Sequence, residues 1–347
     1  MRASLRSRPW AGLDIGQYSV KLLALQPGVG GARHWLAEVP LPPAPRPDTA
    51  PAHDAVARAV AAAFQQAGLP MRGLRGLALG IAGADVFIKQ IHLPLLADDE
   101  IGPALRFEAR KHLPFDPQTM VIDWQVIGRY PGDRRLEVLL AAVAQDRLAR
   151  ALEPLAALGI EADIVDAAPL ALTNALSHGR EAEREAHCLL DIGHTASHLT
   201  LWQRGEPYFS RRLDVGGRTL TQAIADATRV PFEEAEEWKL AAGSDQPGFR
   251  VDWSSPEMSA LLEGLKRHLV DDLLRSLAFY RTIGRLPDPM KMWISGGTAR
   301  LPGLAARLSD LLGFPVLLFD PLERHDGVPP GAGPQFAQAY GLALRSA

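Results

Sequence analysis

The chain has little cysteine, little net charge and no long apolar run. Cys188 is the only cysteine among 347 residues, which excludes an intramolecular disulfide and a cysteine-rich zinc site and suits a reducing compartment. A formal net charge of -3, without a long lysine or arginine block, argues against nucleic acid as the main partner. No segment approaches the roughly 18 apolar residues of a membrane span, and no apolar segment follows the N-terminal arginines. We therefore expect a cytoplasmic protein.

The rest of the composition is typical of a globular protein. Hydrophobic residues make up 47% of the chain and charged residues 22%, which argues against extensive disorder. A chain of 347 residues usually needs more than one core, so two domains with a cleft between them are expected. Strand and helix patterns alternate along the chain, and this alternation predicts an α/β architecture.

Apolar residues at helical spacing predict the main helices, which lie at 55–67, 98–112, 218–228, 232–242, 256–283 and about 334–344. The pattern changes character between about 84 and 160, where a strand, a helix, two further strands and another helix follow one another. This segment is interpreted as a small α+β module inserted into the first half. After it, three short strands joined by turns predict an antiparallel meander.

Two copies of Asp-Ile-Gly begin at Asp14 and Asp191, about half the chain apart. A repeat at this spacing implies two similar domains that face one another. Each aspartate ends an apolar strand, and each glycine permits a tight turn whose backbone N–H groups can point at an anion. Because carboxylates repel phosphate, Mg²⁺ held between Asp14 and Asp191 through water is the expected mediator, and Lys21 can add positive charge. A single Asp-Gly turn would be an ordinary turn former, so the pair needs a third element.

A third glycine-rich turn supplies that element, because a buried strand runs into Gly296-Gly297 and a helix follows. Two glycines let a ribose and an α-phosphate approach the main chain, and the helix N-terminus adds partial positive charge. The segments LDVGGRTLTQAI and EEAEEWK add another glycine turn and a polar helix. The order of these motifs along the chain is the specific signal.

These motifs resemble those of the actin-like ATPase superfamily, with a phosphate-1 loop LDIGQYSVK, a phosphate-2 loop LDIGHTASHLTL and an adenosine loop ISGGTARLPGL. Within the superfamily, the chain is most similar to the PilM family of type IV pilus assembly proteins, itself similar to the cell-division protein FtsA. The likeness covers nearly all of 10–344 and includes IHLPLLADDEIGPALRFEARKHLPF and VDAAPLALTNAL. It implies an α/β, actin-like (ribonuclease H-like) fold of two domains, with an interdomain nucleotide cleft and an FtsA-type inserted subdomain.

The resemblance also implies where the domains begin and end. The expected units are the first domain core at 1–83, the inserted subdomain at 84–160, the return to the first domain and crossover at 161–186, the second domain at 187–333, and a C-terminal helix at 334–347 that returns to the first domain.

ATP and Mg²⁺ are the implied ligands. The implied nucleotide-binding residues are Asp14, Gly16, Gln17, Tyr18, Ser19, Lys21, Asp191, Gly193, His194, Thr195, Gly216, Gly217, Glu236, Lys239, Gly296, Gly297 and Thr298. The alternative for Glu236 and Lys239 is an ordinary solvated helix face, and for His194 an exposed turn histidine. Gln17 and Tyr18 replace the small hydroxyl residues usual in the first loop and narrow the space for the γ-phosphate. No residue can be assigned to orient a hydrolytic water, so we predict nucleotide binding with slow turnover or none, at most a weak ATPase.

The implied partner is the N-terminal cytoplasmic tail of the inner-membrane protein PilN, within the pilus inner-membrane subcomplex that serves twitching motility. Membrane contact would then come only through partners, and self-association stays open. A tail peptide fits a groove, which in the family lies between the first domain core and the inserted module. Glu108, Phe115 and Trp124 fall in that region.

Three alternatives remain open at this point. A GspL-like component of type II secretion is very similar, but there a transmembrane span would follow. An FtsA-like cell-division protein is expected to end in a basic amphipathic helix, whereas this chain ends in GLALRSA. A sugar or carboxylate kinase of the superfamily needs a carboxylate base near the γ-phosphate, and the sequence offers no convincing candidate.

Overall fold

The structure, a computed structural model, describes ten segments of the chain: 8–27, 33–42, 51–82, 86–113, 116–178, 186–203, 206–242, 252–283, 291–323 and 333–346. The strands in these segments are β1 (Trp10–Ile15), β2 (Ser19–Gln26), β3 (Arg33–Pro40), β4 (Gly76–Ile81), β5 (Val86–Pro94), β6 (Met120–Tyr130), β7 (Arg135–Ala144), β8 (Ile164–Ala167), β9 (His187–Ile192), β10 (Ser197–Gln203), β11 (Glu206–Leu213), β12 (Lys291–Ser295) and β13 (Val316–Leu318).

The helices of the described segments lie between these strands. They are α1 (His53–Gln66), α2 (Asp98–His112), α3 (Gln145–Ala157), α4 (Ala168–Ser177), α5 (Gly217–Thr228), α6 (Phe232–Ala242), α7 (Pro256–Gly264), α8 (Asp271–Ile283), α9 (Leu304–Leu312) and α10 (Ala337–Ala343).

The two halves of the chain build their sheets in the same order. The first sheet runs β3-β2-β1-β4-β8, and the second contains β11-β10-β9-β12-β13. In each, a three-stranded antiparallel meander is followed by two strands parallel to its first strand. The duplication predicted from the two Asp-Ile-Gly motifs is therefore present in the strand topology, and β1 and β9 occupy equivalent central positions.

Apolar composition explains why β1, β4 and β9 lie at the centre. Every residue of β4 (GLALGI) is buried, and β9 (HCLLDI) is buried at all positions except Asp191. Strands covered on both faces require such continuous apolar runs. Both aspartates lie near the carboxyl ends of their strands, where the runs stop. Asp14 is paired in register with Gly80 of β4, and Asp191 with Ser295 of β12.

The segment interpreted as an insertion contains β5, α2, β6, β7 and α3, with α2 beginning and ending as predicted. Its last helix, α3, packs against α1 in the core of the first half. The other four elements form a separate unit. It has its own apolar core, which includes Ile101, Leu105, Leu136 and Leu140. Its three strands do not form a separate sheet, because β5 pairs with β11 and extends the second sheet to eight strands. The boundaries at 84 and 160 stay predictions, since 83–85 lie outside the described residues.

The long helix predicted over 256–283 contains a π-helical segment (Leu265–Val270) between α7 and α8. Ser255 caps its start, since the Ser255 hydroxyl accepts a hydrogen bond from the Met258 N–H at 3.3 Å. The leucines at helical spacing face the core of the second half, and Leu261, Leu265, Leu269 and Leu273 are fully buried there. The π segment adds a residue to the turn without moving this apolar face away from the core.

The C-terminal helix α10 joins the two halves. It packs against α4 and β1, and the core cluster around it contains Leu23 from the first sheet and Leu189 from the second. Glycine allows the close approach, because a Cβ on Gly341 would lie 1.7 Å from the carbonyl oxygen of Ala171 in α4. The contact is backbone to backbone, so no side-chain rotation can relieve it.

We expect Gly341→Ala to lower the free energy of unfolding by about 1–3 kcal/mol, because α10 must move away from α4. Gly132→Ala is the matched control, since a Cβ on Gly132 in the β6–β7 turn meets no atom within 4 Å. Urea unfolding of both variants measures the difference. Equal midpoints for the two variants would contradict the tight packing assigned to Gly341.

Among the described helices, none combines the length and the apolar character that crossing a membrane requires.

Candidate functional site

A cleft of about 730 Å³ lies between the two sheets, where β1 and β9 end. It is lined by all of the predicted nucleotide residues except Gly216 and Gly217. The structure thus brings together three turns that are far apart in the sequence. The role of each residue in binding stays a prediction.

The first loop, Gly16 to Ser19, closes a tight hairpin between β1 and β2. The Gly16 N–H donates to the Ser19 carbonyl at 3.0 Å, so this amide is used inside the turn. The Ser19 hydroxyl donates to Glu38 of β3 at 2.7 Å. Gln17 and Tyr18 form the tip of this hairpin, and both line the cleft.

The second loop, Gly193 to Ala196, repeats this geometry between β9 and β10. The Gly193 N–H donates to the Ala196 carbonyl at 3.1 Å. The Gly216-Gly217 turn packs behind this loop, since the Gly217 N–H donates to the Gly193 carbonyl at 2.8 Å. A Cβ on Gly216 would lie 2.5 Å from the carbonyl oxygen of His194. Glycine is needed here to support the second loop, and neither glycine lines the cleft.

The two carboxylates lie beneath the loops and are largely but not fully buried. The Asp14 carboxylate accepts a hydrogen bond from Gln338 Nε2 at 2.9 Å, and Lys21 Nζ lies 3.8 Å from it. Burial is the main cause that raises the pKa of Asp14. The positive charge of Lys21 opposes this shift and the negative charge of Asp191 adds to it, and the resulting pKa is about 6. Burial also raises the pKa of Asp191, which accepts a hydrogen bond from the Ser295 hydroxyl at 3.0 Å. Two buried carboxylates near one lysine form a site that suits a divalent cation.

The third loop packs directly onto the second. Gly296 has a φ of +91°, and a Cβ there would lie 2.5 Å from the carbonyl oxygen of Ile192. The Thr298 hydroxyl lies 3.4 Å from the Gly193 carbonyl, to which it donates. Both the positive φ and the close approach require glycine at 296.

Glu236 and Lys239 of α6 do not form a solvated helix face. Lys239 Nζ donates to Glu236 Oε2 at 2.8 Å, to the Thr221 hydroxyl at 2.7 Å and to the Gly217 carbonyl at 3.0 Å. Burial lowers the pKa of Lys239, and the charge of Glu236 opposes that shift. The pair is therefore fixed at the cleft wall by bonds to α5, which sequence spacing alone does not reveal.

Tyr18 of the first loop and His194 of the second loop meet across the cleft. Their ring centroids are 5.3 Å apart, with the planes tilted by 41°. Burial lowers the pKa of His194, and Lys239 lowers it further, so the imidazole is neutral at pH 7. His194 is half-buried in this contact and is not a freely exposed turn residue.

Several polar residues of the site were not found by sequence reasoning. Glu38, Gln335 and Gln338 line the cleft, and Gln335 Nε2 lies 3.5 Å from Glu38 Oε2. Arg147 reaches the cleft from α3. No motif marks these residues, because they are brought to the site only by the packing of α10, β3 and the inserted segment.

The described residues predicted for the partner groove, Glu108 and Trp124, lie outside the cleft. The Trp124 side chain, on β6, is 38% exposed and lies over Gly102 of α2. The Glu108 carboxylate accepts a hydrogen bond from Lys111 at 2.9 Å on the surface of α2. Phe115 lies outside the described residues. The groove itself stays a prediction.

Comparison with known proteins agrees with this geometry. The family model described as type IV pilus assembly protein PilM matches residues 12–347. A solved PilM-PilN type IV pilus biogenesis complex contains a chain 27% identical to this one, with a TM-score of 0.81 and coverage of 96% of this chain and 97% of that one.

More distant relatives share the fold. MreB5 of Spiroplasma citri, solved with AMPPNP bound, is 14% identical, with a TM-score of 0.52 and coverage of 97% of this chain and 96% of that one. The cell division protein FtsA of Staphylococcus epidermidis is 25% identical over 153 residues, which are 39% of this chain. The match spans 32% of that FtsA, about a third of its length. The actin-like fold is confirmed, and because the family model spans almost the whole sequence, the chain belongs to the PilM family of type IV pilus assembly proteins.

Proposed function

We propose that the chain is an ATP-binding adaptor of type IV pilus biogenesis that binds the N-terminal tail of PilN. The observation that carries this proposal is the likeness, along nearly the full chain, to a protein solved in a PilM-PilN complex. The cleft with its two phosphate loops supports the nucleotide part of the proposal. The PilN part rests on the solved complex alone.

The donor set fits Mg-ATP. Mg²⁺ prefers one or two carboxylates together with water and phosphate oxygens, and Asp14 and Asp191 are the cleft carboxylates near the carboxyl ends of β1 and β9. The bound ion would neutralise charge between these carboxylates and the phosphates. Lys21 and the N–H groups of the two loop tips would hold the phosphates, while the Gly296 turn and the Glu236–Lys239 pair would flank the nucleoside. These roles are proposals for this chain.

Hydrolysis, if present, is slow in this proposal. The Tyr18–His194 contact fills space between the two loop tips, and neutral His194 is occupied in that contact. Turnover needs a water held in line with the γ-phosphate, and the Glu38 and Gln338 side chains of the cleft are already bonded to Ser19 and Asp14. The nucleotide would then act as a structural ligand that fixes the position of the two halves relative to each other.

Titration calorimetry with a synthetic peptide of the PilN N-terminal tail tests the adaptor role. We expect micromolar binding, because a short peptide in a groove gains main-chain hydrogen bonds and a few side-chain contacts. A scrambled peptide of the same composition is the control and is expected not to bind. Repeating the titration with Mg-ATP measures any coupling between nucleotide and partner. Equal heats from native and scrambled peptides would contradict the adaptor role.

A further inference from the structure

Arg147 brings a positive charge from α3 into the cleft. It lies in the first turn of α3, and its side chain lines the cleft together with Gly80 and Ala82. Its Nη2 donates to the Ala82 carbonyl at 3.1 Å. The guanidinium is thereby fixed at one place on the cleft wall.

That place is close to the phosphate side of the site. Ala82 directly follows β4, and β4 runs parallel to β1 with Gly80 in register with Asp14. The carboxyl ends of parallel strands meet at the same edge of a sheet. The Ala82 carbonyl therefore lies on the same edge of the first sheet as Asp14 and the first phosphate loop, and Arg147 lies with it.

Arg147 differs in its ion pairing from three other cationic side chains of the cleft. Lys21 is paired with Asp14, Lys239 with Glu236, and Arg212 with Asp214. In the part of the chain that the structure describes, no carboxylate forms an ion pair with Arg147, and its Nε–H is buried without a hydrogen-bond partner. The buried Nε–H holds the guanidinium against the cleft wall, and the outer edge of the guanidinium can donate to the oxygens of a phosphate group.

We infer that Arg147 binds the terminal phosphate of the nucleoside triphosphate, so that ATP is held more tightly than ADP. This inference rests on the proposed function, since it needs a nucleotide in the cleft. It goes further by giving α3 a direct contact with the phosphate that distinguishes the two nucleotides. The alternative is that Arg147 only anchors α3 to the end of β4.

The inference has a consequence for partner binding. α3 follows β7 of the inserted segment directly and packs against α1 in the first-half core, so it connects the two parts that border the predicted peptide groove. A ligand that holds Arg147 in one position changes the equilibrium of the segment that carries it, and binding energies at two such sites are coupled reciprocally. The state of the nucleotide would then alter the affinity for the partner through α3.

Titration calorimetry of the full chain with Mg-ADP and with Mg-AMPPNP, a non-hydrolysable triphosphate, tests the assignment. We expect Arg147→Ala to weaken AMPPNP binding by about 10- to 100-fold, the loss expected for charge-assisted hydrogen bonds, and to leave ADP binding unchanged. Arg147→Lys keeps the charge without the fork and is expected to lie between the two. The matched control is Arg150→Ala, since Arg150 is exposed on the same helix and pairs with Asp146 of that helix at 3.0 Å.

The outcomes separate the inference from the proposed function. Equal weakening of both nucleotides by Arg147→Ala, or of neither, would overturn the inference and leave Arg147 as an anchor of α3. If Arg147→Ala does not fold, the Arg147→Lys variant decides by the same ratio of the two affinities. Failure of the unmodified protein to bind either nucleotide would overturn the proposed function, and the inference with it.

Discussion

Replacement of Asp14 or Asp191 by alanine is expected to weaken Mg-ATP binding by about 10- to 100-fold, the range seen when groups that orient a bound metal and its water are removed. The two carboxylates are equivalent in the duplicated topology, as each lies near the carboxyl end of the central strand of its half. We therefore expect both substitutions to have effects of similar size. Loss of either one leaves the cation with a single carboxylate and the phosphates less well neutralised.

The dependence of ATP affinity on Mg²⁺ tests the site more specifically than the affinity alone. In the unmodified protein, ATP affinity measured by calorimetry is expected to fall when EDTA removes Mg²⁺, because the bare carboxylates then repel the phosphates. In Asp14→Ala and Asp191→Ala this dependence is expected to shrink. Asp310→Ala is the control, since the Asp310 side chain is 73% exposed on α9, away from the cleft. Unchanged affinity and unchanged Mg²⁺ dependence in both site variants would refute the site assignment.

Local patterns were sufficient to predict the elements and the loops of the site. The helices α2 and α6 and the two glycine hairpins are fixed by apolar spacing, by capping residues and by turn residues that are adjacent in the sequence. The equivalent positions of Asp14 and Asp191 also followed from a repeated motif. These features depend on interactions within a few residues, which is the range that a single sequence reports well.

Features that depend on contacts between distant segments were not predicted. The bond from Gln338 to Asp14 joins residues at opposite ends of the chain. The burial of Glu236 and Lys239 depends on Thr221 of α5, which approaches them only in the folded second half. The pairing of β5 with β11 likewise has no local signal, because an edge strand can accept a neighbour from any part of the chain. Packing between segments, and not propensity, determines these contacts.

The second large effect concerns the stability of the protein without nucleotide. A carboxyl whose pKa is raised from 3.8 to about 6 by burial loses about 3 kcal/mol of folding stability when it ionises. Between pH 3.8 and about pH 6, the folded state holds a proton on Asp14 that the unfolded state has released. Folding therefore takes up a proton in this window, and the stabilisation is present below pH 4 and lost as pH rises through about 6.

Asp14→Asn isolates this contribution, because the amide cannot ionise and its oxygen can still accept the Gln338 hydrogen bond. Urea unfolding without nucleotide should show that the free energy of unfolding of the unmodified protein, minus that of Asp14→Asn, falls by about 3 kcal/mol between about pH 3 and pH 7. Taking the difference cancels the titration of the other carboxylates to a first approximation. A flat difference across this range would contradict the burial of a charged Asp14.

Mg-nucleotide should reverse this trend at neutral pH. The cation interacts with the ionised carboxylate, so it stabilises the unmodified protein in the pH range where Asp14 is otherwise unfavourable. We expect saturating Mg-ATP to raise the unfolding free energy of the unmodified protein more at pH 7.5 than at pH 5, and to raise that of Asp14→Asn much less at pH 7.5. Below about pH 6 the proton on Asp14 competes with the cation. The same burial that destabilises the empty site thus makes its affinity depend on the divalent ion.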